Sequence, residues 1–307
     1  MESKIKFSKS QEHDILLGMI NTYKLGEETW VDIDHGTPEE IHDLMDKYNI
    51  HPFVAKELTS VTPKARIEFH DEYIYCILHF PAWKHTHSED KNQEVDFIIG
   101  KDALITARYD TIDALHKLGK DLEVENVLAK PSVNTDGRPT QPKVEFRAKE
   151  ESGDHAQKHS HMIFMRMLRG LYTSVFEELE SIEDSIENIT TNMFKNKERE
   201  MVIAISEVTR TLLEFKRVTD LHHEILEAIK QRGQEIFGDG FAHEMEAVIL
   251  DYQKINTIIK SHLEMVRDLR QTDNSLLTAK QNEKMKQLTI IGSILLILGI
   301  IATLWVK

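Results

Sequence analysis

The sequence is poor in the residues that cross-link and punctuate a chain. A single cysteine, Cys76, stands among 307 residues, which excludes an intrachain disulfide and the cysteine-rich zinc classes and suits a reducing compartment. No proline follows Pro142, so the second half of the chain lacks the residue that breaks helices. Positive charge is also in deficit: 38 Lys and Arg face 52 Asp and Glu, a net charge of −14. That balance argues against a nucleic-acid partner, because binding a polyphosphate depends on Lys and Arg displacing counterions. There is no GxGxxG, no GxxxxGK and no HExxH, so catalysis has no positive argument and a non-enzymatic role is expected. The first 30 residues hold no sustained apolar stretch, and no signal peptide is expected there.

One long uncharged run is present. QLTIIGSILLILGIIATLWV fills the 20 positions between Lys286 and Lys307. As a helix, Leu288 to Val306 would measure about 28 Å, close to the thickness of a bilayer's hydrocarbon. Its residues are apolar on every side, and Trp305 sits where an interfacial aromatic belongs. The expectation is one membrane span, not a buried core helix.

The spacing before Pro142 predicts strands alternating with short helices. Trp30 to Ile33 reads as a strand. Thr37-Pro38-Glu39-Glu40 supplies an N-cap, a proline at the first helical position and a capping-box acid, opening a helix to about Tyr48. His51-Pro52 opens a shorter helix to about Leu58. Ala65 to Phe69 pairs with Tyr73 to Phe80, and Val95 to Ile99 with Ala103 to Tyr109, each around a polar turn. Helical character returns from Thr111 to about Leu128. The fold class expected is α+β: an N-terminal sheet domain over 1–129, a polar linker over 130–160, helical stalk segments over 161–286 and a transmembrane helix over 287–306.

Three seams mark the stalk. The first joins Phe164, Leu168, Leu171, Val175, Leu179, Ile182, Ile186, Ile189 and Met193. The second joins Ile205, Val208, Leu212, Phe215, Thr219, His222, Leu226 and Ile229, with Gly233 to Gly240 as its breaker. The third runs through Ile255, Ile258, His262, Met265, Leu269, Thr272, Leu276 and Ala279 toward the apolar run without interruption. A helix that long needs partners, either the preceding helices or further copies of itself.

Candidate ligands are scattered. His85, His87, Glu89 and Asp90 could hold a soft divalent ion, as could His155, His159 and His161, although histidines in polar loops are more often simply solvated. The acidic stripe from Glu177 to Glu187 reads as a solvated face that would also concentrate divalent cations. Lys284 and Lys286, just ahead of the span, place the N-terminal body on the cytoplasmic side.

The segment Asn282-Glu283-Lys284-Met285-Lys286-Gln287-Leu288-Thr289 resembles the N-E-x-M-K-x-L-T start of the first membrane helix in the CorA family of magnesium channels. Trp30 to Ile33, His51-Pro52-Phe53, Pro63 to Glu68, Asp71 to Tyr75, Val95 to Lys101 and Thr272 to Leu277 agree in order, so the resemblance covers about residues 28 to 291. It implies a cytoplasmic sheet domain, a long stalk helix and a homopentameric channel in the inner or plasma membrane. Mg²⁺, with Co²⁺ alongside it, would be transported, and intracellular Mg²⁺ would gate the channel. It places Asn282, Met285 and Leu288 at pore-lining positions. It also implies regulatory Mg²⁺ held by carboxylates, for which Asp90, Glu246 and Asp251 are the candidates. The family's Tyr-Gly-Met-Asn loop and second span have no counterpart before Lys307, and Ile297 and Gly299 replace a proline and a threonine. The chain is therefore expected to be truncated ahead of that loop. The alternative is a single-span, membrane-anchored scaffold that responds to Mg²⁺ without conducting it.

Overall fold

The computed structural model describes residues 19–26, 28–84, 92–101, 103–129, 161–193, 195 and 198–305. These fall into two compact units. The first takes the described residues within Met1–Phe80, Thr86–Leu171 and Leu221–Ile249, and the second those within Pro81–His85, Tyr172–Asp220 and Leu250–Lys307.

The first unit is built on a six-stranded sheet of β1 (Met19–Leu25), β2 (Glu28–Asp34), β3 (Arg66–Phe69), β4 (Tyr73–Pro81), β5 (Asn92–Gly100) and β6 (Ala103–Arg108), in the order β1-β2-β6-β5-β4-β3. β2 runs parallel to β6, while β1–β2, β3–β4 and β5–β6 are antiparallel. Every residue of β6 is buried, as expected of an interior strand covered on both faces. One face carries Val31, Ile33, Tyr75, Ile77, Ile98 and Ile105 against Ile41 and Leu44 of α1 (Pro38–Tyr48), Val54 of α2 (Pro52–Glu57) and Leu58, the residue that caps α2. On the other, Phe97 meets the edge of Phe164 at 5.6 Å.

Local chemistry sets the helix starts. Thr37 and Glu40 form the reciprocal capping box, with bonds of 2.9 and 3.3 Å, and Asn49 ends α1 in the left-handed region at φ 51°. His51 Nδ1 accepts the Phe53 N–H at 3.2 Å and caps α2. β1 is a strand the sequence does not announce. MINTYKL lacks a clean alternation, and it forms because the turn at Gly26, φ +61°, folds it back along β2 as a half-exposed edge.

α3 (Asp113–Ala129) packs beside β1, and four helices follow: α4 (His161–Asn192), α5 (Glu198–Thr219), α6 (His222–Phe237) and α7 (Asp239–Trp305). The second predicted helix is thus two, parted by Asp220 and Leu221. Its seam from Ile205 to Ile229 is buried throughout, across that interruption. The break after it comes at Gly238, φ +92°, whereas Gly233 lies inside α6, where the Phe241 ring occupies the space a Cβ would need. Gly233→Ala must displace that fully buried ring. It is expected to cost about 1–3 kcal/mol, read as a lower denaturant midpoint.

The first unit also holds a titratable cap. Glu28, on β2, is buried and accepts the N–H groups of Met162 at 3.3 Å and Ile163 at 3.0 Å at the start of α4. Burial, against the opposing pull of the Ile163 N–H and with Glu244 nearby, pushes its carboxyl up to about 7. A raised carboxyl favours the folded state when protonated. This contribution is complete below the ordinary glutamate range and lost as pH rises through about 7. Glu28→Gln is expected to remove a pH-dependent swing of about 1–2 kcal/mol, measured by unfolding at pH 5 and pH 8.

Candidate functional site

The second unit packs α7 against α4 and α5. Tyr172 and Tyr252 meet edge to face at 6.4 Å, His262 Nε2 lies 4.0 Å from Glu183, and an Arg270 N–H donates to Thr209 Oγ1 at 3.3 Å. The packed stripe of α7 runs through Tyr252, Ile255, Ile259, His262, Val266 and Asp273. This corrects the predicted seam at three of its eight positions. Ile255 and His262 are in register, but Met265, Thr272 and Ala279 face outward, and their neighbours Val266 and Asp273 are buried. At 272–273 the more apolar residue is the outward one, because Asp273 lies inside, only 4% exposed.

That register decides what the outer face presents. Gln271, Asn274, Ser275, Thr278 and Asn282 lie along it, with Arg267 and Arg270 at the end farther from the apolar run, lining an open groove of about 680 Å³. The hydroxyl hydrogens are already committed: Ser275 donates to the Gln271 carbonyl and Thr278 to the Asn274 carbonyl, each at 2.9 Å. Those two hydroxyls therefore turn lone pairs outward, while the Gln271, Asn274 and Asn282 amides offer both acceptor oxygens and N–H donors. Water bound to a cation points its hydrogens away from the ion, so such a face suits a hydrated cation.

Asn282, Met285 and Leu288 follow on the same helix, Met285 being 64% and Leu288 66% exposed. Steps of three residues turn each about 60° past the last, so the three sweep gradually around the helix. Thr289 and Ser293 likewise donate back to carbonyls, at 2.9 Å each. Ile290, Ile291, Ile294, Leu295, Leu296, Ile297 and Leu298 stand exposed around the remaining circumference. Bare apolar surface on every side of one helix is the signature of a segment that takes lipid as its solvent.

The regulatory candidates are placed separately. Asp90 lies outside the described residues, as do His85, His87, Glu89, His155 and His159. Glu246 pairs with Lys230 and holds that ammonium above its ordinary value. Asp251 pairs with Lys254 at 3.2 Å. Among the described residues, no three His, Cys, Asp or Glu side chains converge as a metal site. His161 faces Phe241 at 5.5 Å and lies 4.0 Å from Glu244. His222 is fully buried, and its Nε2–H donates to the His79 carbonyl at 2.9 Å. Burial pushes its imidazole down to about 4, which keeps it neutral. Within the predicted acidic stripe Glu178 departs from its neighbours: it is buried and accepts the N–H groups of Trp83 at 2.9 Å and Lys84 at 3.0 Å.

Two buried polar clusters in the sheet escaped sequence reasoning, since strand alternation does not reveal which polar residues meet. In one, Trp30 donates to Thr106, Thr106 to Asp32 and Arg108 to Asp32, at 2.8, 2.8 and 3.1 Å, with Asp34 also pairing to Arg108 at 2.8 Å. In the other, Tyr75 donates to Asp96 at 3.1 Å, and burial together with Glu94 raises the Asp96 carboxyl well above the usual range. Both serve the sheet's interior.

A mixed sheet followed by long helices, the last ending in turns bare of packing, defines an α+β membrane protein. A family model described as CorA-like Mg²⁺ transporter protein matches residues 27–305, and the chain belongs to that family. The cobalt/magnesium transport protein CorA of Thermotoga maritima is 20% identical over 287 residues, covering 90% of this chain and 72% of its own. The complete CorA magnesium transporter of Methanocaldococcus jannaschii shares the fold with a TM-score of 0.66 at 19% identity, over 86% of this chain and 75% of that one. The cytoplasmic domain of ZntB from Vibrio parahaemolyticus gives 0.63 at 12% identity, over 86% and 100%.

Proposed function

We propose that this chain carries divalent cations, Mg²⁺ and Co²⁺, across the cytoplasmic membrane as a homo-oligomeric channel, with its N-terminal body in the cytoplasm. The observation that carries this reading is the exposed face of α7 from Gln271 to Asn282, which bears amides and hydroxyls and no charge, on the same helix as the exposed apolar segment that begins at Leu288. Copies of α7 around an axis, five in the homopentamer that the family resemblance suggests, would turn these faces toward a shared water path. Asn282 holds the ion through its hydration shell, as suits Mg²⁺, which gives up water reluctantly. Met285 and Leu288 then narrow the path. Intracellular Mg²⁺ acts on the closed state through Asp90, Glu246 and Asp251, where bound cations would replace lysine partners such as Lys230 and Lys254.

Uptake of Mg²⁺ into proteoliposomes under an inside-negative potential tests this directly. Accumulation above protein-free vesicles is expected, falling as Mg²⁺ on the cytoplasmic face rises. The scaffold reading draws on one observation: a single helix among the described residues is long and apolar enough to cross a bilayer. It is favoured instead if assembly responds to Mg²⁺ while no ion moves.

A further inference from the structure

Between Arg270 and Glu283 every fully exposed residue of α7 is uncharged. A water-facing helix normally turns its charges outward. Here Asp273 is buried and Lys280 is half-buried, while Gln271, Asn274, Ser275, Thr278 and Asn282 line the outside. This neutral stretch ends at Arg267 and Arg270, the two cationic residues of the groove. Arg270 is tied to Thr209, and Arg267 projects from an exposed position between exposed Glu264 and Asp268. Arg267 lies 15 positions before Asn282, about 22 Å along the helix and about 60° around it, on the side to which Met285 also turns.

We infer that Arg267 is a rate- and valence-setting residue of the ion path, a positive tier at the inner end of the neutral α7 face that opposes the passage of divalent cations. The inference rests on the axial reading of α7 given above. Each copy would add one guanidinium beside the path. Because the opposing energy grows with the charge of the ion, Mg²⁺ is hindered more than a monovalent ion. Glu264 and Asp268 offset part of that field, so the tier acts as a throttle and not a block. Arg suits the role because it stays charged at any physiological pH.

The test is a charge series at one position in the full chain, reconstituted in liposomes and checked for unchanged oligomer size. Mg²⁺ uptake is expected to match wild type in Arg267→Lys, to rise about threefold to tenfold in Arg267→Gln, and to rise further in Arg267→Glu. Asp268→Asn, which unmasks the positive tier, is expected to slow uptake. These differences should shrink at about 1 M monovalent salt, where screening acts within about 3 Å. Loss of a merely structural contact would slow every variant and ignore salt. A conducting wild type whose series shows no ordering by charge overturns this inference alone. A silent wild type overturns the transport reading and this inference with it.

Discussion

Liposomes carrying Asn282→Leu are expected to take up Mg²⁺ at least about tenfold more slowly than those carrying the parent chain, with the same oligomer size in detergent. Asn282 terminates the neutral outer face of α7, one short charged turn, Glu283 to Lys286, ahead of the apolar run that begins at Leu288. On the proposed reading, an amide at this boundary would exchange hydrogen bonds with water around the ion, so the shell need not be stripped. A leucine presents no partner and leaves the hydrated ion against a surface that expels water. Asn282→Asp carries the opposite expectation: uptake persists while preference among cations shifts, because a carboxylate adds charge without removing hydrogen-bonding capacity. Equal uptake by parent and leucine variant would place Asn282 away from the path.

Arg108→Met is expected to lower the stability of the sheet unit by about 3–5 kcal/mol, read from denaturant unfolding in detergent. The guanidinium lies in the sheet interior between Asp32 and Asp34, at 3.1 and 2.8 Å. Removing it leaves the Asp32 carboxylate buried with only the Thr106 hydroxyl for compensation. Pairing the change with Asp32→Asn should recover much of the loss, since the cost lies in the unmatched charge more than in the absent bond. If Arg108→Met alone proves neutral, the cluster is solvated and its buried description is wrong.

Much of the architecture was legible along the chain because it rests on short-range signals. The Thr37 capping box, the His51-Pro52 helix start and the two hairpins around polar turns each depend on residues a few positions apart, and all appear in the structure. The apolar run before Lys307 is likewise a local property. The break at Asp220 was hidden because the hydrophobic seam continues across it from Phe215 to His222. β1 was hidden because an edge strand half open to solvent needs no alternating pattern.

By itself, then, the chain determined its α+β class, its capped helices, its candidate membrane segment and the motif around Asn282, since each follows from composition or spacing within a few turns. Tertiary structure alone decided the rotation of α7. The choice between Met265 and Val266, or between Thr272 and Asp273, as the inward residue depends on contacts with α4 and α5, helices that lie far away in sequence. Burying Asp273 leaves amides and hydroxyls on the outside, and that choice of face is what a path for hydrated ions would require.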